Sequence, residues 1–271
     1  MGQHLRAIWA YRYFWMSLVQ MDLRSRYRRS VLGIGWSMLH PILMSGVFCL
    51  VFSQIMDIKS HEWEKFGYPT AWRGYAAYLL CSMAVWEFIR NSLSVGCLAL
   101  LRNEAYIRQC PLPYGIYPLR VVMGTFIHFL ISLVVILVLV SLLKGSADPV
   151  GKLWAVLPVV GLMFLFCWAL ATIAAFATVY FHDTTHLIDV GSQLFFFLTP
   201  IMYTREAAKP LAPLFDINPV VVFLDLTRYP LVFDTVPNAG LYLQGALLTA
   251  VAVGLAFGTM GWLQKKVIFH L

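Results

Sequence analysis

Apolar residues gather along this chain into six runs, at about 34–56, 78–100, 121–143, 153–181, 187–203 and 241–263. A helix rises about 1.5 Å per residue, so crossing roughly 30 Å of hydrocarbon takes about 20 apolar residues. The third, fourth and sixth runs meet that length without interruption. The first carries Pro41 near its start. The fifth is short and stops at Thr199-Pro200, where proline removes a backbone donor, and it predicts a broken or tilted helix. Ahead of the first run, Leu5, Ile8, Trp9, Arg12, Tyr13, Trp15, Met16 and Val19 recur at helical spacing, with Arg and aromatic side chains beside an apolar stripe. That pattern predicts a helix lying in the membrane interface within residues 1–30. Between the last two runs, Tyr203 to Gly240 holds five prolines, and its apolar stretch 220–226 is too short to span, which predicts two short re-entrant or interfacial helices. The expected fold is one all-α membrane domain over 1–271 with six transmembrane helices.

Composition agrees with lipid as the main solvent. Hydrophobic residues make up 60% of the 271 and charged residues 12%, against about 25% charged in soluble domains. The net charge of +7 raises the question of nucleic acid, but the basic residues are not interleaved with a soluble recognition fold, and no nucleic-acid partner is expected. Topology accounts for the charge instead. With the N-terminus and the alternate loops on one side, that side holds eleven Lys and Arg against four Asp and Glu. The other side holds eight of each. The excess therefore lies with the two termini, which puts both in the cytoplasm. No short apolar run followed by a small-residue cleavage site opens the chain, so the first span is expected to act as the insertion signal. The five cysteines (Cys49, Cys81, Cys97, Cys110, Cys167) show no Cys-x-x-Cys spacing and read as buried small hydrophobes.

Candidate chemistry is sparse. Arg24, Arg26, Arg28 and Arg29 directly precede the first run and, with Trp36, suit anchoring to anionic headgroups. Glu87 and Arg90 are three apart within the second run, hence on one helical face beside Trp86. Ionisable side chains within a bilayer face a cavity or a partner; a mutually neutralising pair near the outer interface is the other reading. Phe195, Phe196, Phe197 and Tyr203 are open to two uses, packing in the bundle or stacking of their flat apolar faces on a ligand. His182 and His186, four apart around Asp183, lack a third ligand, and no metal site is expected. Phosphate-binding Gly-x-x-x-x-Gly-Lys-Ser/Thr, Gly-x-Ser-x-Gly and His-Glu-x-x-His are all absent from the sequence. The chain is therefore read as having no ATPase or hydrolase chemistry of its own and no cofactor. Without an internal repeat, an ion-coupled secondary transporter is disfavoured.

The order of residues from Asp22 to Pro41 says more than their charge. Asp22-Leu23, Arg24, Arg26-Tyr27-Arg28, Ser30, Leu32-Gly33, Trp36 and Leu39-His40-Pro41 resemble the approach to the first span in ABC-2 type polysaccharide-export permeases, which export O-antigen, capsule and teichoic acid chains. The resemblance continues at Asn103, Ile107, Arg108 and Pro111 or Pro113, at the segment from His182 (where the family has Arg-Asp rather than His182-Asp183) to Tyr203, and at Asn218-Pro219, Asp225, Arg228 and Pro230. It implies a transport subunit of the bacterial inner membrane that pairs with a second copy of itself and with a separate nucleotide-binding subunit, which holds ATP and Mg. It implies coupling through Asn103, Glu104, Ile107 and Arg108. It also implies a channel or gate to which Trp86, Glu87, Arg90, Phe195, Phe196, Phe197 and Tyr203 are candidates, and a lipid-linked polysaccharide, O-antigen foremost, as cargo. A permease for a drug, lipid or other small amphiphile and a membrane-embedded glycosyl or phosphoryl transferase are the alternatives.

Overall fold

Every regular element among the described residues of the computed structural model is a helix. Those residues are 9–28, 30, 32–55, 63–109, 112–205, 208, 210, 212–268 and 270. Expectations placed on Leu5, Ile8, Arg29, Cys110 and Pro111, on loop 57–62 and on the Arg26 side chain fall outside them.

The helices are α1 (Arg12–Tyr27), α2 (Trp36–Ile55), α3 (Ala71–Gly96), α4 (Glu104–Gln109), α5 (Ile116–Lys144), α6 (Asp148–Gly151), α7 (Leu153–Tyr180), α8 (Thr184–Leu198), α9 (Ala212–Ile217), α10 (Pro219–Leu231) and α11 (Ala239–Val267), with short 3-10 turns at Gly33–Gly35 and Leu101–Asn103. By length and composition α5, α7 and α11 can each cross a membrane, and α3 does so if its continuation into α4, bent by 55°, counts with it. The six-span expectation is not reached on that measure. Helix α2 contributes an apolar stretch over Leu39–Phe52, and α8 has 15 residues, about 22 Å of rise against roughly 30 Å of hydrocarbon.

Local chemistry explains the boundaries. Helix α5 ends where Gly145 takes a left-handed conformation (φ 76°) and its N–H bonds the Ser141 carbonyl. Helix α8 ends at Leu198 because Thr199 precedes a proline and is driven to extended backbone (φ −105°, ψ 133°). Helix α10 begins with Asn218 as its cap, its side chain accepting from the Val220 N–H, and Pro219 in the first turn.

Helix α7 is the post of the bundle. It packs on α11, α3, α5 and α10, and small residues let the neighbours close in, with Ala155, Ala169, Ala171, Ala174 and Ala175 all buried. The tightest approach is to α3, where a Cβ on Gly96 would lie 2.6 Å from that of Ala171. Helix α1 lies against the first half of α5, with Trp15 and Val19 packed on Ile116. Its other faces leave Trp9, Tyr13, Met16 and Met21 exposed.

Candidate functional site

At the end of the bundle that carries α1, one side chain ties three elements together. Arg120, in the first turns of α5, donates from Nε and NH2 to both carboxylate oxygens of Asp22 on α1, at 2.6 Å each. Its NH1 donates to Asn103 Oδ1 at 2.9 Å. Asn103 is buried, and its Nδ2 donates to the Ala99 carbonyl at 2.7 Å. The turn that follows α3 is thus linked through Asn103 and Arg120 to α1. A paired guanidinium fork fixes direction as well as distance. Beyond Asn103, α4 turns away by 55°. It buries Ile107 in the core, while Glu104 and Arg108, paired at 2.8 Å, stay on the outside. Of the expected coupling residues, Asn103 and Ile107 therefore anchor α4, and Glu104 and Arg108 remain available at the surface. Arg120 was not singled out from the sequence. A lone Arg opening an apolar run is also what orientation alone would require, so nothing local distinguished it.

The arginines expected to approach the membrane divide as far as they are described. Arg24 and Arg28 are exposed. Trp36 joins a cavity of about 370 Å³ between α2, α3 and α5, together with His40, Glu87, Arg90, Asn91 and His128. Glu87 accepts from Asn91 Nδ2 at 2.9 Å and stands 3.7 Å from Arg90. The pair faces the N-terminal halves of α2 and α5, toward the α1 end. It does not lie near the opposite interface, because α3 runs from the far end and reaches Glu87 only in its second half. Both side chains line that cavity and also pair with each other.

The expected aromatic group separates. Trp86 lies off the Glu87 cavity, buried at 5.6 Å centroid distance from Phe196, which also lies 6.3 Å from Phe48 of α2. Phe195 and Phe197 are exposed. Tyr203 sits past the break, with its hydroxyl donating to the Phe197 carbonyl at 2.7 Å. Phe196 is packing; the exposed faces of Phe195 and Phe197 remain open for a channel or a partner.

The opposite end holds a polar assembly that the sequence placed differently. Once α8 stops at Pro200, the following carbonyls lose their helical partners, and in a largely apolar bundle they must be satisfied by other groups. Tyr75 donates to the Met202 carbonyl at 2.5 Å, and Tyr78 to those of Pro200 and Tyr203 at 2.9 Å each. Arg228 of α10 donates to the Pro200 carbonyl at 2.6 Å and to Ser82 Oγ at 2.9 and 2.5 Å. Its guanidinium lies 3.9 Å from the Tyr78 ring centroid. Asn218 Nδ2 donates to Thr199 Oγ1 at 2.9 Å. Arg228, counted from sequence with the charges of the outer side, is 1% exposed. Its charge gave no sign of that burial, because a carbonyl-satisfying Arg and a surface Arg look identical in one dimension. Nearby, Asp234 accepts from Lys152 and pairs with Lys144 at 3.1 Å. Partial burial opposes ionisation of Asp234, but the two ammonium groups outweigh it and hold the carboxyl below its ordinary range.

Residues 13–232 match the family described as ABC-2 type transporter. The chain is 30% identical over 237 residues to an O-antigen export system permease protein RfbA of Myxococcus xanthus, covering 84% of this chain and 83% of that protein. It is 23% identical over 244 residues to a protein of the same name from Klebsiella pneumoniae, covering 88% of each.

Proposed function

The chain belongs to the ABC-2 type transporter family, and from that premise we propose that it is the permease subunit of an ATP-driven exporter of lipid-linked cell-surface polysaccharide, with O-antigen as the cargo. It is a transport subunit that works with a separate ATP-hydrolysing subunit, on which ATP and Mg bind. Two copies enclose the path. The chain lies in the bacterial inner membrane with both termini in the cytoplasm, so the α1 and α4 end faces the ATPase. What carries the cargo is the name shared by relatives that match along most of this chain.

The geometry supports a route for the work. A partner pressing on α4 meets Glu104 and Arg108, while Ile107 and Asn103 hold the helix to the bundle. Asn103 passes the displacement to Arg120, and Arg120 passes it to α5 and, through Asp22, to α1. At the other end α9 and α10, short and braced by Arg228, form the outer gate. Phe195 and Phe197 flank the path, and the α2–α3–α5 cavity with Trp36, Glu87 and Arg90 lies beside its inner half.

The test is co-purification from native membranes together with deletion of the gene. The proposal expects a stable complex with a nucleotide-binding subunit and loss of surface polysaccharide on deletion. It expects Arg108→Glu to weaken the complex. Unchanged surface polysaccharide after deletion would reject the cargo and return the drug, lipid or small-amphiphile permease.

A further inference from the structure

The loop after α8, helix α9 and the turn between α10 and α11 enclose a second cavity, of about 650 Å³, at the end of the bundle away from α1. A cavity of this size accommodates a ligand of a few sugar rings. Its polar lining includes Arg205, Asp216, Asp225, Tyr229, Asn238 and Gln244, with Thr235 beside them. Arg205 sits between the two carboxylates, 2.7 Å from Asp225 and 3.6 Å from Asp216. Buried Arg228 also stands 3.9 Å from Asp225, so two guanidiniums meet two carboxylates with no surplus positive charge, and a phosphate or a carboxylate ligand finds no unpaired counter-charge there. A metal cation would have to displace the guanidinium.

A neutral polyhydroxyl ligand meets a better match. The Asp225 side chain is 14% exposed and held by Arg205, so its acceptor direction is fixed. The Asp216 carboxylate is a second acceptor at the rim. Asn238 Oδ1 accepts from the Leu241 N–H at 2.8 Å, which orients its amide. Gln244 follows three residues later on the same face of α11. Tyr229 stands partly exposed, braced on Phe233 at 6.0 Å. Fixed planar donors and acceptors serve the paired hydroxyls of a sugar ring, and the tyrosine face serves its C–H side. Apolar Val222, Val236 and Leu241 complete the wall.

We propose that this cavity is a binding site for uncharged hexose units. The inference rests on the exporter reading and adds to it a place where emerging glycan is held at the outer gate, between strokes, against sliding back.

The test uses the full-length chain in lipid nanodiscs and saturation-transfer NMR. The probes are neutral trisaccharides of mannose, glucose, galactose and rhamnose, with trigalacturonate and inorganic phosphate as charged comparisons. At least one neutral trisaccharide is expected to receive saturation, and its affinity to fall at least tenfold in both Gln244→Ala and Asp216→Ala. Both side chains are exposed, so loss of binding there is not loss of the fold, and an unchanged melting curve checks it. The proposal is overturned if no neutral probe binds, if either variant binds as tightly as the wild type, or if trigalacturonate binds more tightly than every neutral probe. Loss of surface polysaccharide on gene deletion with no sugar bound rejects this site and leaves the exporter. Sugar binding with surface polysaccharide unchanged rejects the exporter reading and leaves the site.

Discussion

The two ends of the bundle solve opposite problems with similar residues. Around α1 and α4 the ion pairs run from side chain to side chain and stay partly wet. Asp22 is 50% exposed where Arg120 holds it, and Arg108 is 53% exposed beside Glu104. Around Pro200 most of the links run from side chain to backbone carbonyl, and Arg228 and Tyr75 are sealed, each 1% exposed. An ion pair at a wet surface forms and breaks at a cost of about 1 kcal/mol or less, which suits a part that must move. A buried guanidinium that satisfies a broken helix loses several times as much when its partners are withdrawn, which suits a part that must hold its shape. One end is built to yield and the other to resist.

That contrast can be broken most directly at Arg228. Arg228→Met keeps the volume but takes the guanidinium away from the Pro200 carbonyl, Ser82 and the largely buried Asp225, and we expect a loss of about 3–5 kcal/mol, read as a large drop in melting temperature in detergent or as failure to accumulate. Arg228→Lys should recover little, because an ammonium does not reproduce the fork. A Met variant that melts like the wild type would show that the far end is not braced by this residue.

The joint between the ends comes next. Gly96→Leu drives atoms into Ala171, and overpacking of this kind costs about 1–3 kcal/mol. Its thermal effect should be shared by both ends, since α3 reaches each of them. If Ala171→Gly restores the Gly96→Ala variant, the contact itself is responsible.

Smaller in stability but larger in function is Arg120→Gln. It should cost about 2 kcal/mol and lower transport while ATP hydrolysis by the partner continues. A double-mutant cycle with Asp22→Asn measures the pair, and additive effects on transport would sever α1 from the route.

The smallest effect expected is at Asp234. Its carboxyl is held below the ordinary value of 3.8 by Lys152 and Lys144 against partial burial. A depressed carboxylate stabilises the fold above its unfolded pKa, and that contribution is lost as pH falls through the lower folded value. The melting temperature of the wild type should therefore fall between pH 5 and pH 3 by more than that of Asp234→Asn. Equal slopes would remove Asp234 from the account.

Much of the fold was legible because it is written locally. The apolar runs at 121–143, 153–181 and 241–263 correspond within a few residues to α5, α7 and α11, since hydrophobic length is counted along the chain. The stop at Thr199-Pro200 was legible for the same reason, whereas the cap at Asn218 came only from the structure. Helix α3 was misplaced at its beginning, which lies at Ala71 rather than 78. Trp72, Arg73 and Gly74 lower the apolar average there, yet they are helical, and Gly74 lies so close under the Trp63 ring that a Cβ would come within 2.4 Å of it, a contact invisible in one dimension. The candidate site was half legible: Asn103, Glu104, Ile107 and Arg108 lie together on a 3-10 turn and the short helix that follows it, whereas Trp86, Glu87 and Phe195–Tyr203 divide among separate places.

By itself, then, the sequence determined that the chain belongs in lipid, which stretches are helical, where helices stop and how its charge is distributed between loops. Each of these follows from interactions with solvent or with residues a turn away. Tertiary structure alone decided which polar groups meet. Arg228 finds Ser82 across 146 positions, and Arg120 finds Asp22 across 98. A polar group in an apolar bundle is placed by whichever unsatisfied partner packing brings within 3 Å, and that partner is fixed only when the helices have closed.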